Sequence, residues 1–80
     1  MPLKLVFLGR LEDVAGVPER EVAAASSVTE VLWALEPDLA DALRGDRIRW
    51  AVNGAICRRD AVPMLEDGDE IAFLPPVSGG

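Results

Sequence analysis

Apolar and polar positions alternate at the start of the chain. Leu3, Leu5 and Phe7 fall on one face and Lys4 and Val6 on the other, which predicts a strand. Its partly apolar second face suggests a central position, and Gly9 and Arg10 end it. Leu11 to Val14 fits one helical turn before Gly16, with Pro18 continuing the loop, and Glu21 to Ala24 reads as a weaker strand anchored by Val22. The period then changes. Val28, Val31, Leu32 and Leu35 recur at helical spacing, and Ser27 with Glu30 three positions on fits a capping box. Pro37 disfavours helix at Glu36 and so ends the segment. Asp38 is the expected cap of a second short helix that turns Leu39 and Leu43 inward and stops at Gly45. Trp33 lies off the main apolar face and is expected to pack at the edge of the core.

Alternation returns at Ile48, Trp50 and Val52, against Arg49 and Ala51. Asn53-Gly54 is a hairpin turn signal, because both residues tolerate positive φ, and Ala55 to Cys57 forms the return strand. Leu65 is the expected buried residue of the loop that follows, and Glu66-Asp67-Gly68-Asp69 is a turn. Glu70 to Leu74 is the last strand, with Ile71 and Phe73 on one face. One main helix against one sheet gives a two-layer α+β domain over residues 1–74. Residues 75–80 form an extended tail. Pro75 and Pro76 cannot donate ladder hydrogen bonds and favour polyproline II geometry, so the six residues could reach roughly 20 Å. Gly79 and Gly80 carry no Cβ and suit a narrow slot.

Composition narrows the chemistry. Eighty residues allow one domain with a modest core. A net charge of −6 argues against a nucleic-acid partner. The sequence holds no eighteen-residue apolar run and no evident signal peptide, so no membrane partner is expected. With a single cysteine these features favour the cytoplasm. Cys57 itself is expected to behave as a small buried hydrophobe. Arg44, Arg47 and Arg49, with Arg58 and Arg59, run against the acidic balance and read as a solvated face. The absence of histidine removes the commonest general base and metal ligand, and the 66–70 acidic run does not match a calcium loop, so no metal is expected. What remains is a carboxylate on Gly80, inert until another enzyme activates it.

The ending Pro75-Pro76-Val77-Ser78-Gly79-Gly80, after an Asp67-Gly68-Asp69-Glu70 turn and an apolar strand, resembles that of the molybdopterin synthase small subunits (the MoaD type), a family of ubiquitin-like sulfur carriers. The resemblance implies a β-grasp fold with the first and last strands parallel at the sheet centre. It implies that an E1-like adenylyltransferase activates Gly80 with ATP and that a sulfur donor protein converts it to a thiocarboxylate. The tail, Pro75, Pro76, Val77, Ser78 and Gly79, would then thread into the large subunit of molybdopterin synthase and deliver sulfur to a cyclic pyranopterin precursor. No cofactor would be bound by the carrier itself. The catalytic groups would sit on the large subunit, in a heterotetramer of two small and two large chains. Phe73 and Leu74, where the last strand meets the tail, are candidate partner contacts. Three alternatives stand beside this reading: a carrier for thiamine or cysteine synthesis, a protein modifier joined through Gly80 to lysines, and a plain interaction domain.

Overall fold

The computed structural model of the chain describes residues 2–76; the expected tail positions Val77, Ser78, Gly79 and Gly80 lie outside the described residues. Along the chain come β1 (Leu3–Phe7), α1 (Leu11–Ala15), β2 (Glu19–Val22), α2 (Val28–Trp33), α3 (Pro37–Leu43), β3 (Arg49–Val52), β4 (Ala55–Cys57) and β5 (Glu70–Leu74). The strands form one sheet in the order β2-β1-β5-β3-β4. β5 is its middle strand, parallel to β1 and antiparallel to β3, as the β-grasp expectation requires. The helices cover one face.

Every strand adjoining the core sends alternate residues inward. Leu3, Leu5, Phe7, Ile71 and Phe73 are fully buried against Val28, Val31, Leu32, Leu39 and Leu43. Phe7 stacks on Phe73 at 5.9 Å, and Trp50 meets Phe73 edge-on at 6.3 Å. The indole of Trp50 is buried, and its N–H donates to the Leu43 carbonyl at 2.9 Å, which removes the cost of hiding that polar group.

The sequence reading needs correction in four places. β2 starts two residues earlier than expected, because the Pro18 carbonyl already accepts the Phe7 N–H at 2.9 Å and the ladder continues from there. Its Glu-Arg-Glu-Val sequence does not alternate in hydrophobicity, as suits a charged edge strand that resists further pairing. The helical layer is shared by two short helices rather than dominated by one. α2 stops at Trp33, where the Ala34 and Leu35 N–H groups close tight bonds to Val31 and Leu32, yet Leu35 stays buried just beyond its end. Pro37 opens α3 at its first position, so Glu36, not Asp38, is the cap residue. Trp33 is 76% exposed, with the Arg44 guanidinium 4.9 Å from its ring centre. It covers no core.

The capping box of α2 does form. Ser27 Oγ accepts the Glu30 N–H at 3.2 Å, while the Glu30 carboxylate reaches one residue further back, to the N–H and hydroxyl of Ser26.

Candidate functional site

β5 carries the chain from the sheet centre directly into Pro75 and Pro76. Its neighbours hold it in register to its last residue: Phe7 pairs with Phe73 on one side, and Arg49 with Leu74 on the other. A final ladder bond runs from the Leu8 N–H to the Phe73 carbonyl at 3.1 Å. Beyond it β1 turns away at Gly9, whose φ is 54°, while β5 goes on. Pro75 and Pro76 are half-buried, so the root of the tail lies against the body.

Phe73 has no exposed surface, and that corrects its assignment as a partner contact: its ring belongs to the aromatic core. Leu74 points to the other face and is half-buried, which leaves it free for that role. Around it the uncovered face of the sheet carries an apolar strip that alternation alone did not reveal. Val6, Ala72, Ala51 and Ile56 stand side by side on four adjacent strands, as the strand registers require. Ile56 is 58% exposed and Leu8, at the strip's edge, 41%. The missed signal was the register, since Ala51 and Ala72 are too small to stand out in a single strand.

A basin adjoins the tail root, where Arg47, Arg49, Arg58 and Arg59 outnumber Asp46 and Asp60 and Pro76 closes one side. Arg59 is exposed, as expected from sequence, but its guanidinium is not simply solvated. Its guanidinium donates to the carbonyls of Leu43, Arg44, Gly45 and Ile48 and lies 4.1 Å from the Trp50 ring centre, pinning the α3–β3 connection to the chain after β4. Burial lowers its pKa from the usual guanidinium range, and nearby Asp46 opposes that shift. Cys57 is half-buried beside the core, its thiol donating to the Ala55 carbonyl at 3.3 Å, as a small structural residue would.

At the opposite end of β5 two turns are fastened together. Asp69 accepts the Glu66 N–H at 2.8 Å and the Asn53 side-chain amide at 3.0 Å. Asn53 in turn accepts the Glu70 N–H at 3.0 Å. These bonds hold the Asp69 carboxyl below its ordinary pKa, the backbone bond contributing most. Among the described residues no group of three or more His, Cys, Asp or Glu is arranged to hold a metal, and no helix is long and apolar enough to cross a membrane.

Comparison with known proteins gives a consistent picture. The model of the ThiS family matches residues 5–80. The molybdopterin synthase sulfur carrier subunit of Escherichia coli is 34% identical over 88 residues, spanning 98% of this chain and 99% of its own length. The small archaeal modifier protein SAMP1 of Haloferax volcanii superposes with a TM-score of 0.81 at 28% identity, with all of both chains covered. A complex of subunits 1 and 2 of the molybdopterin-converting factor from Helicobacter pylori contains a chain of the same fold, at a TM-score of 0.68, 24% identity and full coverage of both.

Proposed function

Since the chain belongs to the ThiS family, we propose that it is a sulfur carrier, the small subunit of a molybdopterin synthase, with Gly80 as the residue that bears the sulfur. The observation that carries this reading is the continuity of β5 with Pro75 and Pro76: the tail is rooted in the most firmly held strand of the sheet. A carboxylate at neutral pH is a poor electrophile, so activation comes first. An E1-like enzyme transfers AMP from ATP to the Gly80 carboxylate and releases pyrophosphate. The outer sulfur of a persulfide on a sulfur donor protein then attacks the acyl carbon and AMP leaves; a thiol cleaves the resulting acyl disulfide, forming a disulfide with the donor's cysteine, and a thiocarboxylate remains. The carrier binds no cofactor in this scheme, and the ATP belongs to the activating enzyme.

Delivery takes place in a larger partner. The chain has no histidine, the commonest general acid and base, and in this scheme proton transfers during sulfur delivery to the cyclic pyranopterin precursor fall to the large subunit. Pro75 to Gly79 thread the tip into that subunit, and the open apolar strip around Ile56 and Leu74 is the docking face on the body. Two small and two large chains make up the working assembly.

Intact-protein mass spectrometry tests the central step. After incubation with the cognate E1-like enzyme, ATP and a sulfur donor, the chain should gain the mass of sulfur in place of one oxygen, localised to Gly80. No such species under conditions where the enzyme consumes ATP would overturn the reading. The likeness to SAMP1 favours one further possibility, attachment of the same activated terminus to lysines of other proteins. Isopeptide-linked conjugates recovered from cells would identify it.

A further inference from the structure

Two residues past the last paired positions of the central parallel ladder, Phe7 and Phe73, come Gly9 and Pro75. They meet closely. A Cβ built on Gly9 would lie 2.9 Å from Cγ of Pro75 and 3.6 Å from Cδ. The first of these is far inside van der Waals contact, so a side chain at position 9 cannot coexist with Pro75 where it stands. Pro75 Cγ belongs to a ring closed on its own backbone nitrogen, and it cannot swing aside as the end of a long side chain would. Apart from the small play of the ring pucker, relief therefore comes from the backbone at the root of the tail.

We propose that Gly9 is a positioning residue for the tail: its bare Cα is the seat on which Pro75 rests, and this contact sets the direction in which the chain leaves the sheet. The proposal rests on the carrier reading for its functional meaning, but its geometry stands apart from it. Four residues follow Pro76, enough to extend roughly 13 Å. A small tilt at a stiff root becomes a larger displacement at the tip, where reaction requires close placement. The left-handed φ of 54° would by itself favour glycine at position 9, and the test has to separate that demand from the contact.

Gly16 supplies the control. Its φ is 82°, yet nothing lies within 4 Å of where its Cβ would be. Gly16→Ala therefore carries backbone strain without a clash, whereas Gly9→Ala carries both. Gly9→Asn adds the same Cβ in a residue that tolerates the left-handed region, which guards against failure to fold. Pro75→Ala removes Cγ and so abolishes the clash while leaving the strain.

With the cognate E1-like enzyme, Gly9→Ala and Gly9→Asn should lower kcat for thiocarboxylate formation by on the order of 10- to 100-fold, with KM for the carrier nearly unchanged because body docking survives. Gly16→Ala should leave both constants as in wild type. Adding Pro75→Ala to Gly9→Ala should restore kcat to that of Pro75→Ala alone. Residual dipolar couplings of the Ser78 and Gly79 amides, measured relative to those of β1 and β3, should change in both Gly9 variants and not in Gly16→Ala. A folded Gly9 variant with wild-type kcat and couplings, or a deficit that Pro75→Ala does not relieve, overturns the proposal. If wild type itself acquires no sulfur, the carrier reading fails, and the couplings still decide whether Gly9 sets the tail's direction.

Discussion

Asp69 is small and solvent-facing, yet it joins two turns through both of its oxygens. Its pKa in the folded chain is lowered from the ordinary 3.8 by those bonds. A depressed carboxyl contributes stability that is fully present above the unfolded value and is lost as pH falls through the folded one. Asp69→Asn keeps one oxygen acceptor and loses the charge. The variant should therefore unfold earlier than wild type at neutral pH, and the gap should close as the solution is acidified below about 3.8. Urea midpoints of the two proteins between pH 7 and pH 2 check this, and a gap independent of pH would mean that the charge is irrelevant. Single residues were legible in sequence where local rules decide them. Ser27 and Glu30 make their cap, Asn53 and Gly54 make their turn with φ of 51° and 86°, and Leu65 is buried. Trp33 and Phe73 were misjudged, and the carbonyl partners of Arg59 were not foreseen, for one common reason. Whether an aromatic faces the core or water, and whether a guanidinium finds carbonyls, depends on elements far away in sequence.

Among the elements, the strands β1, β3 and β5 were readable because each sends alternate residues toward the helices, and β4 because the Asn53-Gly54 turn returns the chain beside β3. β2 was misplaced because an edge strand of charged residues has no such pattern, and its place is set by pairing with β1. The helices followed Pro37 more closely than the apolar period did: one proline ends α2 a turn early and begins α3. Arg20 on β2 then ties the Glu36 carboxylate through two bonds of 2.9 Å, and this pairing holds that carboxyl below its usual range. Glu36 is largely in water and Arg20 partly so, and the pair therefore fixes geometry more than it adds stability. The helix–sheet contact is where stability resides. Leu32 on α2 is 2% exposed, and Leu32→Ala should cost about 2–5 kcal/mol, read as a lowered denaturant midpoint. An unchanged midpoint would remove α2 from the core.

At the scale of the molecule, one face of the sheet is covered by helices and the other is open, and the tail root lies where the sheet ends. On the proposed carrier reading, docking and chemistry fall on different surfaces, which substitutions can separate. Ile56→Arg puts a charge at the edge-strand end of the open strip, at its most exposed apolar residue, without altering a core residue. Its thermal stability should stay within about 0.5 kcal/mol of wild type. Its affinity for the large subunit should fall by on the order of tenfold or more, measured by titration calorimetry of the pair. Wild-type affinity would move docking elsewhere. The parallel pairing of β1 with β5 also governs when the protein comes into being. β1 is made first and its central partner last, so the ladder between them closes the longest loop the chain contains. At about 5–20 residues per second, synthesis of eighty residues takes roughly 4–16 seconds. Through most of that time Leu3, Leu5 and Phe7 have no strand to complete their side of the core. A nascent chain that stops short of Glu70 lacks both the middle of the sheet and the glycines beyond it. Completion of the sheet and synthesis of the residues that follow β5 are therefore a single event in the life of the polypeptide.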